Sequence, residues 1–280
     1  MAETRLLATG FGFTEGPLFD ASAGEVIFSD LLMDVRRAWH PQHGLRVVKA
    51  PTHRANGLAF DREHRLIACE HTTSRVVREE PDGECRVLAD RWDGRQLNSP
   101  NDVIVSRSGQ VYFTDPTYGR RARLGLARPT ELNFQGVYRI DPATGGLALL
   151  ATDFVQPNGL CLAPDERTLY VADTERAEVR RVALVDGAPA GPWSVFAGGL
   201  ATPGRPGRPD GMACTERGDV LVTGPQGIHA FTPEGVPAGV ITVPERVHNM
   251  AWGGPDRRDL YITAGGSLYV RRMTVRGAPQ

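Results

Sequence analysis

The sequence has few of the features that mark specialised protein classes. No apolar run approaches the ~18 residues that a membrane-spanning helix needs. Basic residues are not in excess: Lys plus Arg is 32 against 33 for Asp plus Glu, a net charge of −1, which does not fit a dedicated nucleic-acid binder. The four cysteines (Cys69, Cys85, Cys161 and Cys214) are far apart and form no CxxC pair. They are expected to be reduced thiols packed as small apolar side chains. The start, MAETRLLATGFGFTEG, carries Glu3, and its apolar stretches are too short for a signal peptide, so a cytoplasmic protein is expected. No segment keeps a helical period over three turns. There is no credible GxSxG elbow, Walker loop or HExxH helix, which disfavours nucleophilic serine chemistry.

What is present is turn-rich and globular. Gly 32 and Pro 21 accompany 41% apolar and 23% charged residues in a chain of 280. Length alone would allow two domains. The pattern argues for one, because short β-segments recur: EVIFSD (25–30), RLIACEH (65–71), QVYFTD (110–115), TLYVAD (168–173), DVLVTG (219–224) and DLYITA (259–264). Each follows a matching segment that opens on an acid or amide: Glu15, Asn56, Asn101, Asn158, Asp210 and Asn249. These anchors are spaced by 41, 45, 57, 52 and 39 residues. Periods near 40–50 with four short strands each indicate propeller blades. After SLYVRRM (267–273) the sixth repeat has no fourth strand left, and TRLLATG (4–10) resembles the missing one. The expectation is an all-β, six-bladed propeller over residues 1–280, one domain, with strand 4–10 completing the last blade and closing the ring.

In such a blade the first strand lies nearest the central channel, so all six anchors open on one mouth. The second strand runs back, which puts His71, Thr72 and Arg75, and then Asp115 to Tyr118, on the same face. Converging carboxylate and amide oxygens suit calcium, then magnesium or manganese, and do not suit a typical zinc site. Glu15 and Asp210 would match a 2+ ion in charge; without one they would repel, and one would take up a proton. PNG, PND and PDG are also ordinary turn sequences, a reading that does not account for Glu15. Metal ligation is expected of Glu15, Asn158 and Asp210, with Asn101 next and Asn56 and Asn249 last.

These motifs together resemble the senescence-marker-protein/gluconolactonase/luciferin-regenerating-enzyme-like family. The resemblance runs over about residues 8–272. It rests on FTEGPLF (13–19), LNSPNDVIVSRSGQVYFTDPTYG (97–119), QGVYRIDP (135–142), QPNGLCLAPDERTLYVADT (156–174) and RPDGMAC (208–214). CEHTTSRVVREEPDG and LNSPND look most like the bacterial gluconolactonase branch. The resemblance implies a metal-dependent lactonase that opens a gluconolactone-like sugar lactone to its aldonic acid. It implies Glu15, Asn158 and Asp210 as metal ligands, and Asn101 as a contact to metal or substrate. One divalent ion is implied, Ca2+ first, with Mg2+, Mn2+, Zn2+ or Fe2+ as alternatives. In the regucalcin-like branch, the resemblance implies, an arginine that binds substrate lies two residues before this Asn; here that position is Ser99, so that branch's substrate contacts do not carry over, and Arg75 or Arg95 could supply a cation instead.

Within this reading Asp210 is the expected general base, with a metal-activated water or His71 as the alternative. Asn101, His71, Tyr118 and Arg75 are the expected substrate contacts, and His248 flanks the channel. Residues 116–136 follow a second strand, so they emerge on the same mouth as a candidate lid; their Arg120, Arg121 and Arg123 could attract an anion. The stretch 199–211, rich in Gly and Pro, leads into Asp210. The expected partner is a small sugar lactone, with neither nucleic acid nor membrane, in a monomer or homodimer. Two other activities fit the same residues: a calcium-dependent esterase or phosphotriesterase, and a non-catalytic calcium-binding propeller.

Overall fold

In the computed structural model, which describes residues 3–279, the regular structure is strand throughout apart from one 3-10 turn at Tyr118–Arg120. Six antiparallel sheets follow one another along the chain as blades of a propeller. The first blade is Thr14–Asp20, Glu25–Asp30, Val35–His40 and Gly44–Lys49. The innermost strands of the next five are Ala55–Phe60, Val103–Val105, Pro157–Leu162, Met212–Cys214 and Val247–Gly253. The sixth blade takes its outer strand from the other end of the chain. Thr4–Thr9 pairs antiparallel with Ser267–Arg272, Thr4 opposite Arg271 and Thr9 opposite Ser267. This pairing closes the ring and covers what would otherwise be an open sheet edge.

The core is a set of wedges, one at each seam between neighbouring blades. Val111 and Phe113 pack toward blade two with Ile67 and Val76, whereas Tyr112, between them, packs toward blade four with Leu160 and Val171. The side-chain period of two therefore buries both faces of the inner strands. That is why the second strands read as nearly continuous apolar runs: Glu25–Asp30, Leu66–Glu70 and Val111–Asp115 are buried at every position. The fourth strands, such as Gly44–Lys49, form the exposed rim.

The acid that ends several second strands has a structural task. Asp30, Asp115 and Asp173 are fully buried. Asp30 accepts the N–H groups of Gly12 and Phe13 (2.9 and 3.3 Å), Asp115 those of Asn98 and Ser99 (2.8 and 2.7 Å), and Asp173 those of Val155 and Gln156 (2.8 and 3.1 Å). In each case the bonded segment lies just ahead of an anchor: Glu15, Asn101 or Asn158. In blades one, three and four a carboxylate thus fixes the chain entering the hub and satisfies its backbone donors.

Some details depart from expectation. A small hairpin, Arg91–Trp92 with Arg95–Gln96, stands between blades two and three. The inner strands of blades three and five start after their anchors, at Val103 and Met212, so Asn101 and Asp210 lie on the entering loops. Three cysteines are buried, but Cys85 is exposed on a rim strand, where the Lys49 ammonium lies 3.4 Å from its sulfur. Replacing Asp173 by Ala strands the buried N–H of Gln156 and leaves that of Val155, at an exposed residue, without its partner, with an expected cost of about 1–3 kcal/mol. Urea unfolding of Asp173→Ala against the parent checks this, with Asp82→Ala, at an exposed turn, as the near-neutral control.

Candidate metal and substrate site

The anchors reach the channel because of where the backbone bends. In blades one, two, four and six the pairing of first and second strands slips by a bulge at the anchor: Glu15 to Leu18, Ala55 to Leu58, Pro157 to Leu160 and Val247 to Asn249. A bulge re-aims a side chain out of the alternation of its strand. The glycine after the anchor lets neighbouring blades close up. A Cβ on Gly159 would lie 2.1 Å from the carbonyl oxygen of Asp210, the same oxygen that accepts the Gly159 N–H at 3.0 Å. A Cβ on Gly16 would lie 2.0 Å from that of Asn56. Ser29 and Thr114 hydroxyls add bonds across seams to the carbonyls of Asn56 and Asn158 (2.8 and 2.7 Å). The EG, NG and DG pairs are therefore packing elements of the hub and not turns.

The amides are oriented by their donors. Asn158 gives its Nδ2 to Thr174 Oγ1 (3.0 Å), which itself donates to the Pro209 carbonyl (2.7 Å). His71 Nδ1 lies 3.0 Å from the Leu124 carbonyl, which can only accept, so Nδ1 carries the proton. His71 Nε2 then accepts, and the Nδ2 groups of Asn101 and Asn56 face it at 3.3 and 3.5 Å. Among the described residues the side-chain oxygens of Asn101 and Asn158 have no protein donor. Asn249 differs: its oxygen takes the Met250 N–H (2.8 Å) and its nitrogen bonds Asp102 (3.3 Å), leaving little to offer a ligand.

Charge is the dominant property of the hub. Glu15, Asp102 and Asp210 are all buried. Burial, then repulsion from Asp210 and Asp102, raises the Glu15 pKa well above the ordinary carboxylate range. Burial lifts Asp210 to about 7, with Asp102 adding to the shift, and lifts Asp102 to about 6. Two histidines nearby are neutral: burial pulls His71 and His248 down to about 4. His248 donates from Nδ1 to the Thr14 carbonyl (3.0 Å) and stacks on Phe13. The hub is thus rich in oxygen donors and poor in positive charge.

These residues fit a hard divalent cation. Two carboxylates, Glu15 and Asp210, stand with the amide oxygens of Asn158 and Asn101, and their own repulsion is what an ion would relieve. No group of three His, Cys, Asp or Glu is placed to bind a metal among the described residues, so a site here depends on amide oxygens.

The lid segment folds over this mouth. Its 3-10 turn packs so closely that a Cβ on Gly119 would come within 2.7 Å of both His71 and Ser99. Ser99 holds the turn: its Oγ donates to the Pro116 carbonyl and accepts the Gly119 N–H (2.7 and 2.9 Å). Tyr118 has a buried hydroxyl without a partner among the described residues. Its pKa is raised by burial, opposed by the Thr174 side chain and raised further by the negative field of Asp210. Arg75 lies in an ion pair with Glu70 (2.8 Å). Arg120 is no part of an exposed basic cluster: it is buried and donates to the carbonyls of Asn98, Leu97 and Pro129 (2.6, 2.5 and 2.7 Å). Arg54 pins the same segment through the carbonyls of Ala122, Arg123 and Gly125. Two hub residues escape a reading by repeats. Asp102 follows an anchor in the PND motif, and Arg246 precedes the last blade beside an acid that suggests an ordinary surface pair.

A ring of six antiparallel blades closed by the N-terminal strand defines the class as a six-bladed β-propeller. The chain belongs to the SMP-30/Gluconolactonase/LRE-like family, whose model matches residues 13–266. It is 31% identical over 265 residues to a gluconolactonase of Zymomonas mobilis, covering 85% of this chain and 71% of that protein. It is 27% identical over 275 residues to a pentonolactonase of Haloferax volcanii, covering 95% and 86%. A solved gluconolactonase of Xanthomonas campestris shares 32% identity with a TM-score of 0.89, covering 97% of this chain and 89% of that one. A regucalcin of Agrobacterium tumefaciens, described as calcium-binding, has the same fold at 20% identity and a TM-score of 0.81 over 100% and 96%.

The crowding of acids has a measurable sign. The Asp210 pKa in the folded chain lies above its ordinary 3.8. Its charge therefore destabilises the metal-free fold fully above about pH 7, and the penalty disappears below its unfolded value. Asp210→Asn is expected to raise the melting temperature of chelator-treated protein by several degrees at pH 8 and to change it little at pH 4. Calorimetric melts at the two pH values check this.

Proposed function

We propose that this chain is a divalent-metal-dependent lactonase that hydrolyses a gluconolactone-like sugar lactone to the aldonic acid. The observation that supports the reading is the burial of Glu15 and Asp210, from blades one and five, close enough that each acid's charge is opposed by the other and neither has an ion-pair partner among the described residues. The lactonase names of relatives matched over most of their length support the reaction class. The hard-oxygen donor set supports Ca2+ ahead of Mg2+ or Mn2+.

Glu15, Asn158 and Asp210 would hold the ion, with Asn101 beside them. When bound, such an ion supplies a Lewis acid that polarises the lactone carbonyl and stabilises the charge that develops on its oxygen. The protein's own groups divide the remaining work. Asp210 is the general base that takes a proton from the attacking water. His71, neutral and fixed by Leu124, accepts the Asn101 Nδ2 at Nε2 and so turns the Asn101 amide oxygen toward the ion or a sugar hydroxyl. The unpartnered Tyr118 hydroxyl is a donor to a substrate oxygen, and the lid that carries it limits water at the mouth.

The test is hydrolysis of glucono-1,5-lactone by chelator-treated protein supplied with single divalent salts, with a phosphotriester as counter-substrate. Turnover of the lactone is expected to return with the ion, and Glu15→Gln and Asp210→Asn to lower kcat/KM by roughly a thousand-fold while the circular dichroism of the folded chain is kept. Equal turnover with and without metal, or full activity in both variants, contradicts the assignment.

A further inference from the structure

Ring opening of a lactone changes the charge in the site. Water adds its oxygen to the carbonyl carbon, the bond from that carbon to the ring oxygen breaks, and the ring oxygen leaves as a hydroxyl. At neutral pH the acid formed loses a proton, so a neutral substrate becomes a monoanion. A hub of three buried acids repels an anion unless cations offset them, and a single divalent ion offsets only two.

The arginines around the mouth are almost all committed. Arg75 pairs with Glu70 (2.8 Å), Arg120 and Arg54 clamp carbonyls of the lid, and Arg128 donates to Ser74 Oγ (2.5 Å). Arg121 lies over the Tyr118 ring at 5.4 Å. Arg123, in the lid, and Arg246 are the exceptions: among the described residues neither guanidinium has an ion pair or a hydrogen bond. Of the two, Arg246, which is exposed, is the one whose field bears on the hub acids. Its sequence neighbour Glu245 is the obvious partner but is occupied, accepting from the Tyr269 hydroxyl (2.7 Å) and the Gly266 N–H (3.2 Å).

Arg246 also sits at the right place. It immediately precedes Val247–Gly253, the inner strand of blade six, and so stands where that strand starts at the mouth. Its carbonyl accepts the Gly265 N–H (2.9 Å), and the Gly265 carbonyl accepts the N–H of Thr14 (3.1 Å), the residue before Glu15. Two backbone hydrogen bonds therefore tie it to the strand that carries the acid. The field of Arg246 reaches both Glu15 and Asp210, opposing the burial that raises them.

We propose that Arg246 is an anion-binding residue of the mouth, whose guanidinium receives the carboxylate formed when the lactone ring opens. This inference rests on the lactonase reading for the identity of the anion. A carboxylate is a planar acceptor that a guanidinium meets with two parallel hydrogen bonds, and an ammonium meets as a point charge.

The test is calorimetric titration of gluconate into the full-length, Ca2+-loaded protein, for the parent, Arg246→Met and Arg246→Lys, beside lactone kinetics on the same samples. The parent is expected to bind gluconate, Arg246→Met to bind it about tenfold or more weakly, and Arg246→Lys, which keeps the charge but loses the paired hydrogen bonds, to fall between the two. The lactone KM is expected to move less than threefold, because the substrate is neutral, and the melting temperature to stay within about a degree, because the residue is exposed. Unchanged gluconate affinity in Arg246→Met, no gluconate binding by the parent, or equal loss in both variants overturns the assignment. A parent that binds gluconate through Arg246 but does not hydrolyse the lactone defeats the lactonase reading and leaves the anion site standing.

Discussion

Burial of carboxylates in one hub, sharpened by repulsion between them, is the constraint around which this molecule is arranged. Glu15, Asp102 and Asp210 come from blades one, three and five, and each is raised in pKa first by its own burial. An isolated fold gains nothing from such an arrangement, since a buried charge without a partner is costly. The surrounding structure holds it in place. Six apolar wedges fix the blades against each other, and the strand Thr4–Thr9 closes the ring, so the inner strands cannot spread to relieve the repulsion. Strain of this kind, maintained by a rigid frame, is what a binding site for a cation looks like before the cation arrives.

The frame positions the donors by repeating a small set of devices. A carboxylate at the end of a second strand captures two N–H groups of the segment leading to the anchor. A bulge then turns the anchor into the channel, and the glycine behind it admits the next blade. Asn158 is held through Thr174, and Asn101 through His71, so that their oxygens are left without protein donors. His71 is in turn fixed by the Leu124 carbonyl of the lid, which links the orientation of an amide in the hub to the seating of the 116–136 segment. Ser99 belongs to the same linkage. Its hydroxyl bonds both sides of the Tyr118 turn, and a long side chain at that position would displace the turn.

The blade pattern was legible in the sequence because inner strands buried on both faces leave an unusual signature of short apolar runs with an acid or amide at a fixed place. The closing strand was legible because the sixth repeat stops one strand short. That the anchors begin the inner strands or the loops entering them was legible from the repeat, although PNG and PDG alone look like turns; the glycines of those pairs serve contact between blades. Other features could not be read. Asp102 falls next to an anchor, and alternation along a regular strand would aim it away from the hub. Arg246 stands beside Glu245, and only the structure shows that Tyr269 and Gly266 occupy that acid. Arg120 looked like one of three exposed basic residues, and burial against carbonyls is a tertiary fact with no local signal.

Calcium binding followed by titration calorimetry at pH 7 in two buffers of different ionisation heat tests the central claim most directly, because it reads the protons that leave as the ion enters. The account predicts one ion per chain, proton release on binding, and loss of both in Glu15→Gln. Binding with no proton exchange, binding that survives Glu15→Gln unchanged, or no binding at all would contradict it.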